Sequence, residues 1–535
     1  MKTPASNLRH RVTRRRLLQA AAGGAVLACH GVAQRSRAAA ASQGSASGMP
    51  TRRPNILFLM TDQHRADCIG AAGNGIIRTP HFDRIAREGA IFRCAYSSIP
   101  SCTPARAGLL TGLGPWRHGM LGYGRVAEQY KNEMPRMLRE AGYHTLGIGK
   151  MHWAPQRNLH GFHQTILDES GRAESPDFES DYRQWFRREA PDLKPDATGI
   201  GWNAYQSAQY ALPERLHPTH WTAERAIEFL GGYDGKEPFF LKVSFARPHS
   251  PYDPPQRFFD MYKDADLPKA TVGAWAERHA QRGKTLPPDT WRGDLGAEQV
   301  RRSRQGYYGS VSFLDEEIGR ILEALEKRGW LENTLILHTA DHGDMLGDHN
   351  LWRKTYAYES SARVPMLVRW PEGLVDARRG QVLSQPAELR DVLPTFLDAA
   401  GIRFDEKEFD GRSLLAPVRG RTDGWRPFID LEHNICYSPE NHWNALTDGR
   451  TKYVFHAMTG EQQLFDLEGD PGETRDLASD AAHQETLRLW RKRMVDHFSE
   501  RGAPFVVDGD LALRPTGTLY SPNYPGKKPG AKDKT

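Results

Sequence analysis

The stretch Asn55-Ile56-Leu57-Phe58-Leu59-Met60-Thr61-Asp62-Gln63-His64 passes from a largely apolar run directly into a cluster of polar residues. A nearly continuous apolar run of this length is typical of a strand that is covered on both faces, as in a largely parallel sheet. In such sheets, ligands bind at the carboxyl ends of the strands. The stretch therefore predicts a central strand with functional side chains at its end.

Four further segments repeat the short apolar run, and functional polar residues follow three of them. In chain order the runs are Thr145–Gly149 before Lys150 and His152, Pro238–Phe245 before His249, Thr334–Thr339 before Asp341 and His342, and Pro365–Trp370. A helical spacing of apolar residues lies between two of these runs, at Ser312–Arg328. Strands that alternate with helices predict a doubly wound α/β domain.

The composition changes near residue 420, where Gly420-Arg421-Thr422-Asp423-Gly424 predicts a junction. We expect a large domain over residues 53–420 and a smaller α+β subdomain over 425–502. The subdomain has short β-like runs before one helix from about His483 to Phe498. From 503 to 535, proline, glycine and lysine dominate, which predicts an extended or disordered tail.

The positive charge of this 535-residue chain is concentrated at its start. Of the 72 lysines and arginines, eight lie in residues 1–42, which contain no acidic residue, and the other 64 face 66 acidic residues. The body of the chain therefore gives no electrostatic reason to expect nucleic acid as a partner. With 39% hydrophobic and 26% charged residues, the composition is that of a globular protein and excludes a disordered or collagen-like chain.

The segment Arg14-Arg15-Arg16-Leu17-Leu18 precedes a short apolar run, Ala20–Ala28. It resembles a twin-arginine signal peptide, here over residues 1–42, and so predicts the twin-arginine translocase as a partner and a periplasmic or secreted location. The alternatives are the basic start of a cytosolic chain and a lipid anchor on Cys29. No apolar run approaches the roughly 20 residues that a transmembrane helix needs, so no stable membrane span is expected.

One short segment carries the most specific signal. It is Ser101-Cys102-Thr103-Pro104-Ala105-Arg106, followed by Ala107-Gly108-Leu109-Leu110-Thr111-Gly112. This C-x-P-x-R pattern, followed in order by G-K-x-H, H-x-P-Y and D-H-G, resembles the type I sulfatases from Arg53 to about Ala478. The resemblance implies an alkaline phosphatase-like fold, a doubly wound mixed β-sheet flanked by helices with a small C-terminal antiparallel sheet and helix. It also implies a sulfuric ester hydrolase, with a sulfated small molecule or glycan (an aryl or carbohydrate sulfate) as substrate.

The same resemblance implies that Cys102 is converted to formylglycine (3-oxoalanine) by a formylglycine-generating enzyme. One hydroxyl of the aldehyde hydrate would then attack sulfur, and Arg106 would hold the hydrate in place. A hydrate suits this task because its sulfated form breaks by C–O cleavage, so that no water need attack a sulfated intermediate. The alternative for Cys102 is a small buried hydrophobic residue.

A divalent cation is the predicted cofactor. Asp62 and Asp341 each follow a predicted strand, and with Gln63 and His342 they would form an oxygen-rich pocket that includes one imidazole. Taken singly, Asp62 could cap a helix and His342 could be a core histidine. The resemblance makes these four residues and Cys102 the metal ligands and implies Ca²⁺, with Mn²⁺ or Mg²⁺ as alternatives.

The remaining catalytic roles follow from the resemblance at matching positions. Lys150 would bind a sulfate oxygen, and His152 would take a proton from the second hydroxyl of the hydrate, which expels sulfate. His249 would donate a proton toward the leaving alcohol, and Lys354 would bridge the sulfate and the leaving oxygen. These roles meet the needs of the reaction, because a sulfate monoester is anionic and repels a nucleophile until its charge is neutralised.

Two positions depart from the commonest pattern of the family. Gln63 stands where many sulfatases have a second aspartate, and His342 where many have an asparagine. The same pair occurs in phosphonate monoester hydrolases, so a phosphonate monoester or phosphodiester hydrolase is an alternative. A silent binding protein for sulfated glycans is a third hypothesis, which predicts the loss of an essential group, whereas this chain has them all.

Substrate choice has no visible determinant in the sequence. The long segment Leu167–Pro213 carries no recognisable pattern. Four aromatic residues flank the assigned groups, but such residues are more often core residues than pocket walls. They are Trp153, Tyr252, Trp352 and Tyr356.

Overall fold

The computed structural model describes residues 53–526, so the predicted signal peptide and residues 527–535 lie outside the described residues. The strands are β1 Asn55–Asp62, β2 Ala90–Phe92, β3 Ala95–Tyr96, β4 His144–Gly149, β5 Gln164–Leu167, β6 Phe239–Pro248, β7 Thr334–Ala340, β8 Met366–Arg369, β9 Gln381–Leu383, β10 Ala387–Glu388, β11 Ile429–His433, β12 Trp443–Thr447, β13 Thr451–His456, β14 Gln462–Asp466, β15 Val506–Val507 and β16 Asp510–Leu511. The α-helices are α1 Pro80–Arg87, α2 Cys102–Thr111, α3 Pro115–His118, α4 Met134–Glu140, α5 Asp181–Glu189, α6 Pro218–Gly232, α7 Gln256–Asp260, α8 Gly296–Lys327, α9 Glu359–Ala362, α10 Val392–Ala399, α11 Leu415–Val418 and α12 Gln484–Phe498.

An eight-stranded mixed sheet forms the centre of the large domain, in the order β5-β4-β6-β1-β7-β8-β2-β9. Strands β5, β4, β6, β1 and β7 are parallel to one another, whereas β8 is antiparallel to both β7 and β2. All five predicted strands lie in this sheet, and the prediction of a doubly wound α/β domain is confirmed. Because β8 runs in the opposite direction, its end lies away from the edge where β1, β4, β6 and β7 finish.

Strand β1 shows why both faces of the sheet are covered. Successive side chains of a strand point to opposite faces. Ile56, Phe58 and Met60 pack in one apolar cluster with α2 and α10. Leu57 and Leu59 pack in another with α1, α6 and α8. An apolar run without polar interruptions therefore gives the sheet two hydrophobic faces, each covered by helices.

Helix α8 is longer than the sequence predicts, since it begins at Gly296 rather than at Ser312. In its first half, the side chains of Val300, Tyr307, Tyr308 and Val311 are buried. Their spacing continues the apolar face of the helix toward its N-terminus. Among residues 53–526, no helix combines the length and the apolar character that crossing a membrane requires.

The C-terminal subdomain contains the antiparallel sheet β11-β12-β13-β14, covered by α12. Leu487, Trp490 and Met494 of α12 pack against Tyr453 and Phe455 of the sheet. The predicted small antiparallel sheet with one closing helix is therefore present.

Residues 503–526, which the sequence predicts as part of an extended or disordered tail, are packed on the body of the protein. Strands β15 and β16 form a short antiparallel hairpin. Farther along, the Leu519 carbonyl accepts a hydrogen bond from the Leu121 amide (2.8 Å), and the Ser521 amide donates to the Gly119 carbonyl (2.7 Å). Composition misled the prediction here, because a few apolar residues such as Phe505, which is buried beside α12, anchor a segment rich in proline and glycine.

Candidate active site

The polar residues that follow the parallel strands converge at one edge of the large sheet. Strand β1 ends at Asp62, and β7 ends immediately before Asp341 and His342. Strand β4 ends immediately before Lys150, and β6 immediately before His249. Because these strands are parallel neighbours, their carboxyl ends meet, as the sequence predicts.

Cys102 is the first residue of α2 and is buried, with 2% of its surface exposed. Its Sγ lies 3.1 Å from Nε2 of His342 and 3.8 Å from Oδ1 of Asp62. One ligand atom each from Asp62, Cys102, Asp341 and His342 lies within 4.8 Å of all the others. Burial and the charge of Asp62 would raise the pKa of the Cys102 thiol, but Lys354 and His342 lower it on balance.

Arg106 and Lys150 neutralise the carboxylates of this cluster. Arg106 lies one turn after Cys102 and donates from Nε to Asp341 Oδ2 and from Nη2 to Asp62 Oδ2, both at 3.0 Å. Nζ of Lys150 lies 2.7 Å from Asp62 Oδ2. Burial would raise the pKa of Asp62, yet the charges of Lys150 and Arg106 hold it well below its usual range. Asp62 is therefore ionised in a site that excludes water.

The donor set fits a divalent cation. Nδ1 of His342 donates to the Gly343 carbonyl at 2.9 Å, so Nε2 is directed at Cys102 and the carboxylates. Burial would lower the pKa of His342, but Asp341 raises it on balance, so a cation would bind at Nε2 in place of a proton. Carboxylate oxygens with one imidazole nitrogen are ligands that divalent cations accept. We call this buried group the floor of the site. The floor consists of Asp62, Cys102, Arg106, Lys150, Asp341 and His342.

Lys354 and His249 form a second group beside the floor. Nζ of Lys354 donates to Gln63 Oε1 at 2.8 Å and lies 2.7 Å from His249 Nε2. Nδ1 of His249 lies 2.8 Å from the Ser250 carbonyl and donates to it, so Nε2 is the acceptor. Burial and the neighbouring Lys354 charge hold the pKa of His249 well below its ordinary value.

Gln63 connects the two groups. Its backbone is left-handed (φ 65°), and its amide N–H donates to Asp341 Oδ1 at 3.0 Å. The side-chain NH₂ donates to Asp344 Oδ2 at 2.5 Å, and the Tyr252 hydroxyl donates to the same oxygen. The predicted metal ligand thus lies at the site, with its amide oxygen accepting from Lys354.

His152 is held by a buried carboxylate that the sequence did not single out. The amides of Met151 and His152 both donate to Oε1 of Glu169 at 2.9 Å, and His152 itself is left-handed (φ 64°). Nε2 of His152 lies 3.3 Å from the Tyr123 hydroxyl. Burial and the Lys150 charge hold the pKa of His152 well below its usual value, so the imidazole is neutral.

Three partly exposed aromatic side chains lie next to these buried groups, and we call them the rim. They are Tyr123, Trp202 and Tyr437. Four other aromatic residues flank the assigned groups in sequence, where such residues are more often core residues than pocket walls. They are at most 6% exposed and lie in the packed interior. Those four are Trp153, Tyr252, Trp352 and Tyr356. The rim residues lie in loops without periodic patterning, so no sequence signal marks them.

The mixed sheet with helices on both faces and a small C-terminal antiparallel sheet has the alkaline phosphatase-like fold, which the chain shares with solved sulfatase and phosphonate hydrolase structures. Two family models match the chain: Sulfatase over residues 54–402, and N-sulphoglucosamine sulphohydrolase, C-terminal, over residues 347–500. The chain belongs to the sulfatase family. The predicted fold, family and enzyme class of sulfuric ester hydrolases are therefore confirmed.

Several known proteins are similar to the chain over most of its length. An arylsulfatase of Clostridium perfringens is 39% identical, covering 87% of this chain and 99% of the relative. A choline-sulfatase of Rhizobium meliloti is 33% identical, covering 87% and 91%. Among solved structures, the phosphonate monoester hydrolase of Agrobacterium radiobacter superposes with a TM-score of 0.71 at 25% identity, covering 86% of this chain and 100% of that one.

Proposed function

We propose that the protein is an exported hydrolase that cleaves sulfate monoesters, of aryl or carbohydrate alcohols, to the alcohol and inorganic sulfate. The observation that carries the proposal is the position of Cys102, within 4.8 Å of the ligand atoms of Asp62, Asp341 and His342. The cysteine of the C-x-P-x-R motif thus lies beside two carboxylates and an imidazole, a donor set that suits a divalent cation. The similarity to an arylsulfatase and a choline-sulfatase supports the same reaction.

Cys102 is the proposed nucleophile after its conversion to formylglycine. The aldehyde hydrate supplies one hydroxyl that attacks sulfur and a second whose deprotonation releases sulfate. The surroundings of Cys102 support this role, because its Sγ lies 3.1 Å from His342 Nε2 and 3.8 Å from Asp62 Oδ1, beside the residues that would hold the cation. Arg106 holds the modified side chain at the start of α2.

Asp62, Gln63, Asp341 and His342, with the converted Cys102, would hold the cation. Ca²⁺ is the proposed ion, with Mn²⁺ or Mg²⁺ as alternatives, and when bound it adds positive charge that stabilises the transition state. Lys150 binds a sulfate oxygen from the floor. Its ammonium is 2% exposed, so its attraction for the anion is little weakened by water.

Two neutral histidines move the protons. His152 takes a proton at Nε2, the atom that lies 3.3 Å from the Tyr123 hydroxyl. Nε2 of His249 accepts a hydrogen bond from the Lys354 ammonium, 2.7 Å away. The proton that reaches the leaving oxygen would therefore pass from Lys354 through Nε2 of His249, and Lys354 would regain a proton from solvent after the alcohol leaves. Both imidazoles are held neutral by burial and neighbouring lysines, which suits groups that exchange protons during turnover.

Export rests on residues 1–42, which lie outside the described residues. The twin-arginine pattern supports passage through the twin-arginine translocase to the periplasm or the medium, with a lipid anchor on Cys29 as the alternative. Fractionation of cells that express the full chain, compared with an Arg14→Lys, Arg15→Lys variant, tests this proposal. Activity that stays outside the cytoplasm in the variant would contradict it.

Mass spectrometry of the peptide that contains residue 102, from protein made with a formylglycine-generating enzyme, tests the mechanism. We expect the mass change for conversion of the CH₂SH side chain to an aldehyde. The rate of aryl sulfate hydrolysis should rise with the fraction of protein in which Cys102 is converted. Full activity in protein that retains only the thiol would contradict the proposed nucleophile.

The second candidate function is a phosphonate monoester or phosphodiester hydrolase. Gln63 and His342 support it, because the same pair occurs in phosphonate monoester hydrolases, whereas the greater attraction of a neutral amide for anions is compatible with either substrate. The similarity to a phosphonate monoester hydrolase structure supports it as well. Parallel assays with an aryl sulfate and a phenyl phosphonate monoester separate the two functions. We expect kcat/KM to be higher for the aryl sulfate. A far higher kcat/KM for the phosphonate would make phosphonate hydrolysis the preferred function.

A further inference from the structure

The rim residue Trp202 lies against both ends of the proposed reaction site. Its ring centre lies 5.2 Å from that of His249, the group at the leaving oxygen. Nζ of Lys150, the sulfate-binding group, lies 6.0 Å from the ring, and the Arg247 guanidinium lies 5.5 Å from it. Trp202 is partly exposed, whereas His249 and Lys150 are buried. The indole therefore lies between the reactive groups and the solvent.

The loop that carries Trp202 is fixed to the rest of the site. Oδ1 of the next residue, Asn203, accepts a hydrogen bond from Nζ of Lys354 at 3.4 Å, and Asn203 has a left-handed backbone (φ 67°). The Tyr205 amide donates to the Pro288 carbonyl at 3.0 Å. These contacts anchor both the site-facing and the outer side of the loop, so the indole is a preformed surface.

The other two rim residues face the floor from different loops. The Tyr123 hydroxyl lies 3.3 Å from His152 Nε2, and its side chain is 40% exposed. The ring of Tyr437, from the C-terminal subdomain, packs 4.2 Å from the Arg353 guanidinium, next to Lys354 in sequence.

The charged side chains beside the rim are each fixed by a neighbour, although Nε of Arg353 is buried without a hydrogen-bond partner among the described residues. Arg247 lies 2.9 Å from Asp253, and Arg353 donates to the Asp289 carbonyl at 3.0 Å. A sugar leaving group brings several hydroxyls, each of which needs a hydrogen-bond partner when it loses water. A planar aromatic alcohol needs mainly a flat apolar surface, which aromatic rings provide by stacked or edge-to-face contact.

We propose that the rim is the leaving-group subsite and that it accepts planar aromatic alcohols, with the indole of Trp202 as the principal contact surface. This inference rests on the proposed function and narrows its substrate class to aryl sulfates. Trp202 is then a specificity-determining residue that binds the alcohol portion, while the floor binds the sulfate portion.

Steady-state kinetics of Trp202→Ala and Trp202→Phe with phenyl sulfate, together with inhibition by inorganic sulfate, test the proposal. We expect kcat/KM for phenyl sulfate to fall about tenfold in the alanine variant and only about twofold in the phenylalanine variant. The inhibition constant of inorganic sulfate, which reports on the floor alone, should stay within about twofold in both variants. Trp330→Ala is the matched control, since Trp330 is a partly exposed tryptophan that directly precedes the 3₁₀ turn before β7, at the opposite end of the sheet.

Two results would overturn the subsite. One is an unchanged kcat/KM for phenyl sulfate in Trp202→Ala. The other is a wild-type kcat/KM that is higher for glucosamine 6-sulfate than for phenyl sulfate, because the aryl ester has the better leaving group. Failure of the proposed function looks different, since protein with verified formylglycine would then hydrolyse no sulfate ester.

Discussion

The floor and the rim of the site are built in opposite ways. Floor residues follow central strands or begin α2, and Asp62, Cys102 and Arg106 are at most 2% exposed. Their side chains fix one another through ion pairs such as Arg106 with Asp341 at 2.9 Å. Rim residues come from separate loops, and Tyr123 is 40% exposed. One region is therefore defined by the sheet and the other by the connections around it.

This difference separates the two tasks of the enzyme. Groups that must hold developing charge gain from burial and fixed geometry, because electrostatic interactions are strongest where water is excluded. Groups that contact the variable part of a substrate lie on loops, which accept sequence change without disturbing the scaffold. Floor variants should therefore impair turnover of every substrate, whereas rim variants should change the preference among substrates.

Removal of the proposed nucleophile is the strongest test of the floor. Cys102→Ala should lower kcat by roughly 10⁴-fold or more for any ester, because alanine cannot be converted to the aldehyde whose hydrate supplies the attacking hydroxyl. Rates with phenyl sulfate, measured on protein of confirmed fold, check this. Cys94→Ala is the matched control, as Cys94 is a partly exposed free cysteine. A Cys102→Ala enzyme with wild-type rates would refute the mechanism.

Loss of one floor carboxylate should be the next largest effect. Asp341→Asn removes a charge that Arg106 contacts and one of the proposed metal ligands, so we expect bound metal and kcat/KM to fall about 10²- to 10³-fold. Metal content after dialysis and rates with added Ca²⁺ are the measurements. Treatment with a chelator should inactivate the wild-type enzyme, and Ca²⁺ should restore it.

Asp315→Asn is the control for that experiment. Asp315 is also buried, but it accepts hydrogen bonds from the amides of His81 and Phe82 at the start of α1. An asparagine can keep an acceptor oxygen there, so metal content and kcat should not change. An Asp341→Asn enzyme that keeps wild-type metal content would remove Asp341 from the ligand set.

The floor could be predicted from the sequence and the rim could not. Asp62, Lys150 and Asp341 each follow an apolar run, and parallel strands bring such positions together whatever the loops between them do. Trp202 lies in a loop whose course depends on tertiary contacts such as Asn203 with Lys354, and no local pattern encodes those. Helix α8 is longer than the sequence predicts for a related reason. The buried side chains of its first half include tyrosines, which a pattern of aliphatic residues does not reveal.

Glu169 occupies an intermediate position between these regions. It follows β5 at the edge of the sheet and is buried, yet its contacts are with the backbone of the loop that carries His152. Nothing in the sequence marks it, because a carboxylate that binds main-chain amides has no fixed spacing from its partners. Its effect on catalysis should therefore be smaller than that of a floor residue.

Glu169→Ala leaves the amides of Met151 and His152 without their acceptor. Because these amides are buried, the unpaired N–H groups destabilise this conformation of the loop. We expect kcat to fall about 10- to 100-fold with KM changed less than about threefold, since His152 is displaced while the sulfate contacts remain. Glu169→Gln, which keeps an acceptor oxygen, should recover most of the rate. Equal losses in both variants would show that the charge of Glu169, and not its hydrogen bonds, matters.

The smallest expected effect on activity concerns Lys242, which lies on β6 below the floor. Its ammonium is 5.7 Å from the ring centres of Phe58 and Trp153, and burial, with a contribution from Arg106, lowers its pKa to about 7. Between pH 7 and about 10.4, the usual lysine value, the unfolded chain binds one more proton here than the folded chain, so the free energy of unfolding rises with pH across that window.

Lys242→Met removes the cost of burying an amine that is protonated in the unfolded chain. The variant should raise the free energy of unfolding by about 1–3 kcal/mol near pH 7, with a gain that shrinks toward pH 10. Melting temperatures of both proteins across this range check the prediction, and kcat should stay within about twofold because Lys242 belongs to neither the floor nor the rim. A gain that is constant with pH would mean that better packing, and not the loss of a buried charge, stabilises the variant.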